Sequence, residues 1–76
     1  MRLDGGKTNC SYFLDDLEEL PLEVGKRLEA LGMTRGTEIH ILNNKDNGTM
    51  IVKVRGTRFA IGKDISRMIK ASPAQE

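Results

Sequence analysis

The chain has 76 residues, with 12 Lys and Arg against 11 Asp and Glu and a formal net charge of +1. That length allows one domain, burying about 60% of the surface its unfolded chain exposes. The charge balance argues against a dedicated binder of the nucleic-acid backbone, which carries a strong basic excess. A single cysteine, Cys10, excludes an internal disulfide and fits a reducing cytosol, and no apolar run nears the roughly 20 residues of a bilayer span.

Residues 1–7 read as a loose lead-in without the apolar core of a secretory signal, and Gly5-Gly6 marks a turn. Cys10, Tyr12 and Leu14 alternate with Ser11, Phe13 and Asp15, the period of a strand. Asp15, Asp16, Glu18 and Glu19 then cluster around Leu17. Such a cluster is either a cation site or solvated charge placed favourably ahead of a helix. Pro21 suits a helix start, and Leu20, Val24, Leu28 and Leu31 recur on one helical face, which predicts a helix over 21–31. Gly32 is expected to end it in the left-handed conformation, with Met33 packing back on Leu28.

Beyond Gly36 the pattern changes to alternation. Ile39 and Ile41 oppose Glu38 and His40. Residues 43–48 form a turn-rich loop ending in Asn-Gly, a hairpin signal. Met50, Val52 and Val54 form the next inward set, with Ile51, Lys53 and Arg55 opposite. Gly56-Thr57 reverses the chain, and Phe59 and Ile61 continue it. Asp64 opens a short helical turn near 63–67, where a carboxylate is favoured. Ile65, Met68 and Ile69 supply apolar contacts, 68–71 reads as a closing edge strand, and 72–76 as a frayed polar tail. The reading is a single domain over 1–76, mainly β with short helices, a small curled barrel of about five strands.

Groups for catalysis are few. Cys10 and His40 are types that form a nucleophile–base pair, but nothing in sequence brings them together. No second histidine or cysteine stands at a metal-ligand spacing. Gly5-Gly6-Lys7-Thr8 echoes the end of a phosphate-binding loop but lacks its first glycine, preceding strand and following helix. Binding chemistry is richer. Arg35, Lys53, Arg55 and Arg58 lie around the sheet and its turns, with Met33 and Ile51 as apolar neighbours, the make-up of a protein contact patch. The same cations would also serve to solvate an outer face and protect edges. Nucleic-acid recognition would want aromatics interleaved with these cations, and Phe59 reads as core.

Two segments carry a resemblance. Residues 27–39, Arg-Leu-Glu-Ala-Leu-Gly-Met-Thr-Arg-Gly-Thr-Glu-Ile, resemble the R-L-x-x-L-G-[LM]-x-x-G-x-x-[IV] segment of the FeoA family, the small ferrous iron transport protein A. Residues 52–62 resemble that family's V-[RK]-G-x-x-[LF]-A-[LI] hairpin, in matching order and separation. The likeness spans about 14–71. Departures are Leu3-Asp4-Gly5-Gly6 in place of a Leu-Pro-Pro-Gly-type turn, Arg35 where proline is common, and no Gly-Asp before the strand after 48. The resemblance implies an SH3-like barrel and a non-enzymatic, cytoplasmic accessory role in bacterial ferrous-iron uptake. The implied partner is the cytoplasmic G-protein domain of the membrane transporter FeoB, so membrane association would come only through that partner. It implies no nucleic acid, no cofactor and at most weak or indirect Fe(II) association, and leaves homo-oligomerisation open. The alternative is a stand-alone regulatory domain related to the C-terminal domain of iron-dependent repressors.

Overall fold

Alternating apolar and polar residues become a single antiparallel sheet in the computed structural model, which describes residues 1–44 and 48–74. Its strands are β1 (Ser11–Asp16), β2 (Glu38–Asn44), β3 (Thr49–Val54), β4 (Thr57–Gly62) and β5 (Lys70–Pro73), arranged β4-β3-β2-β1-β5. A 3-10 turn, Leu3–Gly5, precedes β1. Helix α1 (Leu22–Ala30) joins β1 to β2, and the short α2 (Lys63–Ser66) joins β4 to β5. The mainly-β architecture expected from the periodicity is therefore present. The inward set Met50, Val52 and Val54 is fully buried with Ile39 and Ile41. Tyr12, Leu14, Leu28, Ile61 and Ile69 belong to the same core.

The helix ends as its sequence requires. Gly32 takes φ +100, a conformation open to glycine because it has no Cβ. The Met33 N–H then donates to Leu28 O and the Gly32 N–H to Glu29 O, both at 3.0 Å, which engages carbonyls at the helix end. The helix is shorter than expected. Pro21 flanks it, its carbonyl accepting from the Gly25 N–H at 3.0 Å. Leu31 is the C-cap and is 43% exposed, so the apolar stripe inferred from spacing ends at Leu28. The helical period no longer aims a side chain inward once the backbone leaves the helix.

The leading segment is not loose. Leu3 is wholly buried, its N–H donates to Ile69 O at 2.8 Å, and Arg2 bridges to Lys70. Asn44 secures the same turn, its Nδ2 donating to Asp4 O at 3.1 Å and to Gly6 O at 2.5 Å. Asn43 and Asn44 belong to β2 rather than to a loop, with a bulge where Ile41 faces Val52 but Asn43 faces Ile51. The hairpin expected at Asn47-Gly48 lies partly outside the described residues. Ser72 and Pro73 are likewise ordered, in β5 beside β1, while the last two residues of the expected tail lie outside the described residues. Composition cannot reveal either attachment, because each depends on a distant carbonyl.

Three carboxylates of the acidic cluster take structural partners. Asp15 Oδ2 accepts from Ser72 Oγ at 2.7 Å and Asp16 Oδ1 from the Glu18 N–H at 3.1 Å. Glu19 pairs with Arg2 at 2.5 Å and Lys70 at 3.4 Å. Hydrogen bonding from Arg2, aided by the charges of Arg2 and Lys70, holds the Glu19 carboxyl below its ordinary value of 4.5. A depressed folded-state value means that this contribution is present above the unfolded value and is lost as pH falls through the folded one. Glu19→Gln is therefore expected to flatten part of the acid limb of stability, read as urea midpoint against pH. Added salt should have the same direction of effect, since the pair is exposed.

Candidate functional site

The outer face of the sheet is fixed by the β3–β4 turn. Arg55 at φ 51 and Gly56 at φ 83 form a two-residue loop, so Val54 faces Thr57 and Lys53 faces Arg58. Positive φ at both positions is the mirror-image turn that matches strand twist. Such a loop closes on a hydrogen-bonded pair, Val54 with Thr57. Alternation then makes Lys53 with Arg58 a non-hydrogen-bonded pair, the kind in which side chains lie closer.

Two exposed cations thus stand directly opposite one another, an arrangement that destabilises a sheet. Neither forms an ion pair among the described residues. The row continues across β2 and β1, where Lys53 faces His40 and His40 faces Ser11. His40 Nδ1 and Ser11 Oγ lie 2.9 Å apart, a bond that the cross-strand register explains. A groove of 410 Å³ runs beside this row, lined by Thr37, Glu38, His40, Lys53, Arg55 and Gly56. Ile51 is half-buried two pairs further on, the next pair on this face, opposite the exposed Ala60. Arg58→Glu replaces a like-charge pair by an opposite one and is expected to raise stability by about 0.2–1 kcal/mol, read by chemical denaturation.

The candidate residues separate into four groups. Ile51, Lys53 and Arg58 are brought together on this face. Arg55 is adjacent but occupied: its Nε donates to Gly32 O at 3.3 Å, and its guanidinium reaches the Thr37 hydroxyl at 3.4 Å. It ties the β3–β4 turn to the end of α1, and a Cβ on Gly32 would lie 2.9 Å from its Cδ. Arg35 lies apart, in a groove of 560 Å³ with the exposed Phe13 and the carboxylates of Asp15, Asp16 and Glu18. Met33 is a correction. It is wholly buried, because the helix cap turns it back into the core, and so offers no surface to a partner.

Ala60 and Phe13 were missed as contact candidates, and His40, read as outward-facing, was not counted among them. The signal for Ala60 was available in the Arg55-Gly56 turn. Placing the reversal one residue later, at Gly56-Thr57, shifts the register and hides the opposition of Lys53 and Arg58. Among the described residues, no three His, Cys, Asp or Glu side chains gather as metal ligands would. No helix among them is long and apolar enough to cross a membrane.

A family model for the FeoA domain matches residues 1–73. The chain belongs to the FeoA family. The match takes in the leading turn and β5 as well as the two motif segments, consistent with the burial of Leu3. FeoA folds recur among solved structures. The FeoA protein from Chlorobium tepidum superposes with a TM-score of 0.89 at 19% identity, over 97% of this chain and 70% of that one. A structure described as iron uptake regulatory protein (FeoA) gives 0.82 at 25% identity, over 95% and 93%. The T. acidophilum IdeR structure also gives 0.82, at 19% identity, but the match spans 96% of this chain and only 33% of that protein. These likenesses establish the SH3-like fold that FeoA proteins share with repressor domains. No curated protein matches the chain significantly.

Proposed function

We infer that this FeoA-family chain is a cytoplasmic accessory protein of bacterial ferrous-iron uptake. In this reading it modulates the cytoplasmic G-protein part of a FeoB-type transporter by binding rather than by turnover. Membership of the FeoA family supports the iron-transport setting, and a similar solved structure is described as iron uptake regulatory. The observation that carries the binding role is the Lys53–Arg58 pair. Two cations held opposite one another cost stability and form no ion pair among the described residues, so an acidic partner surface is the natural complement.

The runner-up is a stand-alone regulatory domain that senses a metal or works with a transcription factor. The superposition on IdeR favours it. The two readings separate by co-purification and by loss of function. The transporter's cytoplasmic domain should retain this chain on a column, and deletion of its gene should lower Fe(II) uptake. No retention together with unchanged uptake would overturn the accessory reading. Saturable Fe(II) binding in anaerobic calorimetry, without transporter binding, would support the runner-up.

A further inference from the structure

We propose that the free edge of β4 receives an extended, carboxylate-bearing segment of the partner as an added strand. The argument begins with the turn. The hydrogen-bonded pairs of the β3–β4 ladder are Val54 with Thr57, Val52 with Phe59, and Met50 with Ile61, every second pair from the two-residue loop. The backbone N–H and C=O groups of Arg58 and Ala60 therefore point away from β3. β4 stands at the end of the sheet order, with no strand beyond it among the described residues. Among the described residues, no backbone hydrogen bond outside the ladder uses Arg58 or Ala60. Both residues are exposed, so the edge is not covered.

The occupant is set by the side chains flanking that edge. On the outer face, Arg58 with Lys53 behind it presents positive charge, and Ala60 with half-buried Ile51 behind it presents a small apolar surface. A strand added to β4 would place one side chain beside Arg58 and another, two residues along, beside Ala60. A carboxylate at the first position and an aliphatic group at the second complement the two sites. A second copy of this chain fits less well, because its own β4 would bring another Arg58 to the same edge. Arg58 alone could act as the charge that keeps an edge from mispairing. Lys53 directly behind it, without an ion pair among the described residues, is surplus to that task and points to an acidic occupant.

This proposal names the mode of contact within the transporter reading, and the test keeps the two apart. The probe is an octapeptide alternating glutamate and valine, with a lysine–valine counterpart as control. The glutamate peptide is expected to slow hydrogen exchange at the Arg58 and Ala60 amides by about tenfold or more, and the lysine peptide is not. Ala60→Pro removes an outward donor and leaves the β3–β4 ladder intact, as proline is tolerated where an edge N–H faces solvent. It should abolish the peptide effect while the Phe59 amide stays protected. Arg58→Glu, which keeps every backbone group, should do the same and should reverse the charge preference.

The transporter's cytoplasmic domain provides the second arm. If it binds the wild-type chain and both variants equally, and the glutamate peptide leaves the edge amides unchanged, strand addition is refuted and the transporter reading stands. If the peptide protects the edge but the transporter domain does not bind, the transporter reading falls and the edge site stands. Concentration-dependent dimerisation abolished by Ala60→Pro, without a peptide effect, would replace the acidic segment by a second copy and overturn the proposal.

Discussion

Met33→Ala is expected to lower the unfolding free energy by about 2–5 kcal/mol, the range for a fully buried methionine. A domain of this length has about 4–11 kcal/mol in total, so the variant should sit close to unfolding. Met33 has two roles in the same place. Its N–H closes the end of α1 on Leu28 O, and its side chain is wholly buried in the core. The substitution keeps the first and removes the second, so the loss reads out packing alone. Leu31→Ala is the contrast, because that side chain is 43% exposed. Its cost should be about 1 kcal/mol or less. Urea denaturation of the two variants in parallel decides the matter. Equal losses would mean that the helix cap does not divide core from surface as described.

Leu3→Ala is the second large effect, again about 2–5 kcal/mol. Leu3 is wholly buried, although it sits in a segment whose composition reads as a flexible terminus. Around it, the 3-10 turn Leu3–Gly5 places the backbone so that the Leu3 N–H meets Ile69 O, and Arg2 reaches Glu19. Losing the side chain should therefore loosen β5 as well as the turn. Amide exchange at Ala71 and Ile69 should accelerate in the variant more than exchange at Val52. Uniform acceleration across the sheet would show instead that the leading turn belongs to one cooperative unit with β2 and β3.

These two residues also mark where the sequence could and could not be read. The alternating sets around Ile39 and Ile41, and Met50, Val52 and Val54, were legible because strand period alone assigns their face. Gly32 was legible as a helix stop because its conformational freedom is local. Leu3 was not, because its burial depends on Ile69, far away in sequence. Met33 was read both as a cap contact and as a surface residue, and only its burial in the assembled core decides between them. The candidate face behaved in the same way. Lys53, Arg58 and Ile51 were recognised as outward residues, but their pairing required the register set by Arg55 and Gly56. Arg55 itself was read as free charge, whereas its guanidinium is bound to the α1 terminus. Charge is visible in a sequence; whether a charge is already satisfied is a property of the fold.

Binding of this chain to the cytoplasmic G-protein domain of a FeoB-type transporter, measured by calorimetric titration of wild type, Arg58→Glu and Arg35→Glu, is the most direct measurement of the proposed role. The expected result is a saturable complex that Arg58→Glu weakens by about tenfold or more and Arg35→Glu leaves within about threefold, since Arg35 lies in the separate groove with Phe13. Absence of a complex with the wild-type chain, or equal affinity for wild type and Arg58→Glu, would contradict a partner bound through the Lys53–Arg58 face.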